Sequence, residues 1–127
     1  MNPDFELLLR HLPVEITYID ADGIIRYISP KEEYLFPRDP ETQTGVDVMK
    51  FHKPETREVI GRMLDDFRSG RKDAEYSWSE RAGSFAHVSY IAIHDESGNY
   101  AGTMEVVQDI KGLKELKGKR KVAEGYK

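Results

Sequence analysis

His52 is the residue whose chemistry is easiest to define in this chain. It lies in the run Val48-Met49-Lys50-Phe51-His52-Lys53-Pro54-Glu55-Thr56-Arg57, where an apolar segment gives way to an amphipathic helical pattern. A side chain at such a junction can be aimed into a cavity, and a neutral imidazole is suited to ligate a haem iron or another transition metal. No cysteine is present to compete for that role. A hydrogen-bonded cap or a packed core residue is the other role open to a lone histidine at a helix entry. His11, His87 and His94 add no second site, because His87 and His94 are seven apart on one predicted strand and no Asp/Glu-His ligand spacing lies nearby. Glu105 stands in an otherwise apolar strand. Buried, it needs a cationic partner or a raised pKa; facing an edge, it is solvated.

Catalysis finds little support. The sequence has no Gly-x-Ser-x-Gly elbow, no His-Glu-x-x-His and no phosphate-cradling glycine loop, and Asp65-Asp66 reads as a solvated helix face. The lack of cysteine also excludes disulfides, thiolate metal sites and cysteine nucleophiles. The chain is therefore not expected to be an enzyme.

The elements that must position His52 follow from periodicity. Phe5, Leu8, Leu9 and Leu12 recur at helical spacing, so residues 4–11 form a short amphipathic helix stopped by Pro13. Two β-rich runs, 14–19 and 24–29, flank Asp20-Ala21-Asp22-Gly23 as a hairpin. Pro30, Pro37, Pro40 and Gly45 limit the next stretch to short helical turns, a wall or lid rather than sheet. Pro54 opens and Gly70 closes a helix over 54–69, with Val59, Ile60, Met63, Leu64 and Phe67 on one face. Three strands follow. In the first, Ala74, Tyr76 and Trp78 alternate with polar residues; the second, 85–94, is apolar on both faces; the third runs over 100–110. Asp109-Ile110-x-x-Leu113-x-x-Leu116 begins a further amphipathic helix that Gly112 and Gly118 weaken. The order predicts an α+β domain, a five-stranded antiparallel sheet with helices on one face.

At 127 residues the chain fits one domain. No apolar run approaches a membrane span, and the N-terminus lacks a signal-peptide pattern, so a cytoplasmic protein without membrane contact is expected. Net charge is -4, but residues 109–127 hold seven Lys or Arg against three acids, which leaves 1–108 at -8. A nucleic-acid groove on so acidic a body is not expected.

This order, with Asp20-Ala21-Asp22-Gly23-Ile24-Ile25-Arg26-Tyr27 and the closing Gly98 to Ile110 run, resembles a PAS domain over residues 13–110. Residues 1–12 are then an N-terminal flanking helix, and 111–127 the start of a C-terminal helix with a basic tail. Leu12-Pro13-Val14-Glu15-Ile16-Thr17-Tyr18, Phe36-Pro37-Arg38, Leu64-Asp65-Asp66-Phe67-Arg68-Ser69-Gly70 and Gly102-Thr103-Met104-Glu105-Val106 are similar to the C-terminal PAS module of the DUF438 family. The His52 segment is similar to a Cys-His-Pro-Pro-Lys-Ser run of that family and to a His-Pro-Glu-Lys-Ser-Arg run of carbon-monoxide-responsive haem PAS regulators. Here Phe51 replaces the cysteine and Lys53 the first proline, while Pro54 and Thr56 are kept.

The resemblance implies a sensor that binds a small molecule between sheet and helices and relays the change through flanking helices to an attached or partner signalling domain. In its sharpest version the cofactor is haem and His52 its axial ligand. A flat apolar cofactor is then expected to rest on Val59, Ile60 and Met63, with Tyr76, Trp78, Val88, Tyr90 and Ala92 as the opposite wall. The rival expectation is a cofactor-free homodimer built on the N-terminal helix and the outer sheet face.

Overall fold

The structure, a computed structural model, describes residues 3–127; the first two residues of the flanking segment 1–12 lie outside the described residues. Helix α1 spans Pro3–His11, and strands β1 (Glu15–Asp20) and β2 (Ile25–Ile28) form the first hairpin. The Asp20 carboxylate closes its turn, accepting from the Asp22 and Ile24 N–H groups at 2.9 and 3.0 Å and from Arg26 Nε at 2.7 Å. Helix α2 (Pro40–Gln43) and a 3₁₀ turn (Val48–Phe51) follow, then the long helix α3 (Pro54–Ser69) and a meander of β3 (Ala74–Arg81), β4 (Ser84–His94) and β5 (Tyr100–Asp109). Helix α3 starts on Pro54 and ends on Gly70 in the left-handed conformation (φ 78°), as the sequence pattern requires.

All five strands pair antiparallel in the order β2-β1-β5-β4-β3. The first and last strands of the chain are thus neighbours at the centre, and β3 is an edge. Because side chains alternate across a sheet, the register sorts them into rows. Thr17, Glu105, Tyr90 and Glu75 form one row of the inner face, and Glu15, Val107, Val88 and Ser77 the next. Ile19, Ile25, Ile28 and Val48 form a buried cluster against which Tyr34 and Met49 pack. From α3, Leu64 and Phe67 are buried, and the helix lies against β5. The expected α+β architecture is the one observed.

The ends differ from expectation. After β5 the chain makes turns and a short 3₁₀ helix, Val122–Tyr126, instead of an amphipathic helix, and Leu113 and Leu116 stay exposed. Gly112 and Gly118, the latter left-handed at φ 64°, remove the helical propensity that two leucines with no surface to cover cannot restore. Helix α1 does form, held at its C-terminal carbonyls by the Lys31 ammonium, which donates to Leu9, Arg10 and Leu12. It buries no residue, and Phe5, Leu7 and Leu8 are exposed. No helix among the described residues is long and apolar enough to cross a membrane.

Gly102 is the tightest point of the sheet. Its φ is 153°, and a Cβ there would stand 2.3 Å from the Ile19 carbonyl oxygen and 2.8 Å from the Tyr18 ring. Gly102→Ala is therefore expected to cost on the order of 3 kcal/mol or more, combining backbone strain with overpacking between two central strands. Urea denaturation of the purified variant measures it, and a change below about 1 kcal/mol would show that β1 and β5 can part at little cost.

Candidate functional site

Between the inner sheet face and the segment from α2 to α3 lies a cavity of about 510 Å³, within the range of small-molecule sites. Ile19 and Ile25 of the first hairpin and Val88 of β4 supply apolar floor, and Phe36, Val48 and Phe51 supply apolar wall. Polar groups converge from every side: Thr17, Gln43, Ser77, Ser79 and Tyr90, with the charged pair Arg38 and Glu105 and the imidazole of His52.

The roof is the irregular segment 34–38, and three strands tie it down. From β1, Glu15 Oε2 accepts the Leu35 N–H at 2.9 Å. From β5, Glu105 Oε1 accepts from Arg38 Nη2 in a close ion pair. From β3, Arg81 Nε donates to the Leu35 carbonyl, and its guanidinium lies 4.4 Å from the centre of the Phe36 ring. Pro37 on this segment, with Pro30 and Pro40 on either side of it, keeps it from joining the sheet, so side chains hold it in place of backbone ladders.

The Arg38 and Glu105 side chains are 20% and 12% exposed, which puts their ion pair in the poorly screened interior. Tyr90, beside Glu105 in the register, hydrogen-bonds to the same carboxylate; burial and that negative charge push its phenol well above the ordinary range. Glu15 lies in the field of both Arg38 and Glu105. Burial raises its carboxyl, against the lowering effect of the Leu35 hydrogen bond and Arg38, and its Oε1 is buried with no hydrogen-bond partner among the described residues.

His52 sits between two short elements. It caps the 3₁₀ turn, its N–H 3.3 Å from the Met49 carbonyl, and Lys53 follows as the N-cap of α3. Arg57 Nε donates to the carbonyls of Met49 and His52 at 2.9 and 2.8 Å, which fixes the junction. The imidazole lines the cavity. Burial holds its pKa below the ordinary histidine value; the Glu105 carboxylate pulls the other way, and Arg38 and Arg57 add to the depression.

Of the residues expected at the site, His52, Val88 and Tyr90 meet in this cavity. Ile60 and Met63 are half-buried on α3 and Ala92 on β4, all outside the lining, while Val59 is 63% exposed. Tyr76 and Trp78 face the opposite way. Their register partners Ser89 and His87 belong to the outer face, where the Trp78 and His87 rings lie stacked at 6.2 Å and Tyr76 tilts against His87 at 5.9 Å. The inner side of β3 presents Ser77 and Ser79 to the cavity instead. Arg38 escaped the sequence reading as a site residue, and so did the pairing that makes Glu105 part of one. No cluster of three or more His, Cys, Asp or Glu side chains able to hold a metal occurs among the described residues.

Residues 5–111 match the model of a family described as PAS domain. The chain belongs to the PAS domain family. Among solved structures, this PAS domain is 37% identical to the C-terminal domain of a protein from Streptococcus mutans, with a TM-score of 0.80 over 89% of this chain and 87% of that one. The PAS domain of a protein from Colwellia psychrerythraea has a TM-score of 0.63 at 16% identity, over 86% and 96% of the two chains. The Vibrio cholerae Aer2 receptor, titled a dual PAS-heme oxygen sensor, has a TM-score of 0.53 at 20% identity, over 76% of this chain and 94% of that one. These two share the fold. No curated protein is significantly similar to the chain.

Two outcomes follow for this PAS domain. Arg38→Met alone strands Glu105 and should cost about 3 kcal/mol, whereas the double variant Arg38→Met/Glu105→Leu should recover most of that loss. Denaturation of the four proteins in a double-mutant cycle gives the coupling, and additive losses would mean that the ion pair does not hold the roof. For His52 the folded pKa is depressed, so the imidazole adds no acid sensitivity above the unfolded value of about 6.5, and stability falls as pH drops from there toward the folded value. Thermal melting between about pH 8 and pH 5 should fall more steeply in wild type than in His52→Gln. Parallel curves would place His52 in solvent.

Proposed function

We propose that this PAS domain is a non-catalytic cytoplasmic sensory module that takes a small molecule into the cavity beneath segment 34–38. Occupancy is passed on to an attached or partner signalling domain. The observation that carries this reading is the Arg38–Glu105 pair, which joins the roof of the cavity to the central strand inside the space a ligand must enter. A ligand touching that pair changes the restraint on the roof, which gives the two-state element that sensing requires. Membership of the PAS domain family supports the sensory role. The finer kinship, a C-terminal module of the DUF438 type, rests on the sequence segments that resemble that family.

Haem ligated by His52 is the narrower version. In its favour His52 lines the cavity, and burial favours the neutral, electron-donating form of its imidazole. Against it, the flat apolar bed expected from Val59, Tyr76 and Trp78 lies outside the cavity, and the charged Arg38–Glu105 pair occupies the wall. His52 would hold the iron and Arg38 would be the group available to a propionate. A homodimer is the reading favoured by the exposed apolar residues of α1, with Tyr76 and Trp78 on the outer face.

Filling the cavity tests the main reading. A thermal-shift survey of small metabolites should give compounds that raise the melting temperature of wild type, and Val88→Phe, folded but with its cavity occluded, should lose those shifts. If wild type and Val88→Phe respond alike, the cavity is not the site. Titration with haem, followed by absorbance in wild type and His52→Ala, decides the narrower version: no Soret-type band, or one that His52→Ala leaves unchanged, removes it.

A further inference from the structure

We propose that the ligand of this cavity is an organic cation, an ammonium group on an apolar body, which binds Glu105 in place of Arg38 while Arg38 transfers to Glu15. The inference rests on the ligand-sensing reading above and names the class of molecule. It starts from a charge count at the roof: two carboxylates, Glu15 and Glu105, lie in the field of one guanidinium, Arg38, while the roof's other guanidinium, Arg81, is committed to the Leu35 carbonyl and the Phe36 ring. Lys31 also acts on Glu15 through its field, but its ammonium is committed to the carbonyls of Leu9, Arg10 and Leu12 at the end of α1. Among the described residues one donor, the Leu35 N–H, is bonded to Glu15, and its buried Oε1 has no hydrogen-bond partner. The cluster therefore carries a surplus of negative charge and an acceptor oxygen in want of a donor.

The sign of the ligand follows from what each exchange leaves behind. An anionic ligand that took Arg38 would strand Glu105, 12% exposed on the central strand, with the Tyr90 hydroxyl as its remaining hydrogen-bond donor. Three negative groups would then share one guanidinium, the arrangement that low local dielectric penalises most. A cationic ligand creates no orphan. Its N–H groups replace those of Arg38 on Glu105, and Arg38, carried by a segment without backbone pairing to the sheet, can supply the donor that Glu15 Oε1 lacks. Phe36, Phe51 and Tyr90 in the lining give the cation aromatic faces, and Ile19 and Val88 receive the apolar body.

Three probes matched in size test the assignment on the full chain: 2-phenylethylammonium, 2-phenylethanol and phenylacetate, titrated at neutral pH while backbone amide resonances of the cavity lining are followed by NMR. The ammonium should bind at least about tenfold more tightly than the alcohol, the difference expected for one buried charge-assisted hydrogen bond. Glu105→Gln should remove that preference, and Arg38→Gln, which frees Glu105, should strengthen ammonium binding. The opposite signs of the two variants keep the test decisive if one of them fails to fold. Phenylacetate binding most tightly, or alcohol and ammonium binding equally, overturns the cationic ligand while leaving the cavity a ligand site. Absence of any shift in the lining with all three probes overturns both.

Discussion

A carboxylate in the middle of a sheet must be answered by a positive charge, and that requirement organises this molecule. Glu105 stands on β5, which β1 and β4 flank on either side, so water cannot reach it from the strand edges. Its partner comes from the least regular part of the chain. Arg38 lies on a proline-rich segment that has no ladder of its own, and the ion pair, with Glu15 and Arg81 on either side, gives that segment one position above the sheet. The cavity exists because the roof is tethered by long side chains and not laid directly on the strands. Apolar packing in its place would close the space.

Such an arrangement exchanges stability for definition. Desolvating a guanidinium and a carboxylate costs about what their attraction returns, so the pair adds little to the fold as a whole. It does include, among the three contacts that tie the roof to the sheet, one inside the cavity that a visitor can compete for. Ile19, Ile25 and Val48 of the hydrophobic cluster line the same cavity without taking part in that ion pair, and Ile28 and the buried Leu64 and Phe67 of α3 lie outside the lining. The core can therefore stay intact while the roof changes partners.

The regular elements were legible because local chemistry specifies them: the Asp20 turn, Pro54 and Gly70 at the ends of α3, and the meander all stand where the residue pattern puts them. The site was legible only in part. His52 is marked by its junction, but the Arg38–Glu105 pair spans 67 residues of sequence, and no local pattern announces it. The segments that carry the family resemblance contain Glu15, Arg38 and Glu105, yet Glu15 and Arg38 read alone as ordinary surface charges, and the apolar strand around Glu105 does not say which cation would answer it. Strand β3 misleads for a different physical reason. Alternation identifies its two faces correctly, but assigning the apolar face to the core assumes that the core side is dry; here Ser77 and Ser79 meet a polar cavity, and Tyr76 and Trp78 take the outside. The missing exit helix has the same origin as the exposed α1: an amphipathic pattern becomes a packed helix only where a surface receives it.

The stacking of Trp78 on His87 gives the protein a reporter of its own. This is the only tryptophan in the chain, 64% exposed, and it lies on the face of the sheet opposite the cavity. Placed on the face away from Glu105 and Arg38, it is the ring that whatever covers the outer sheet would meet. Light excited at this one indole therefore follows the engagement of the exterior by itself, apart from the filling of the interior.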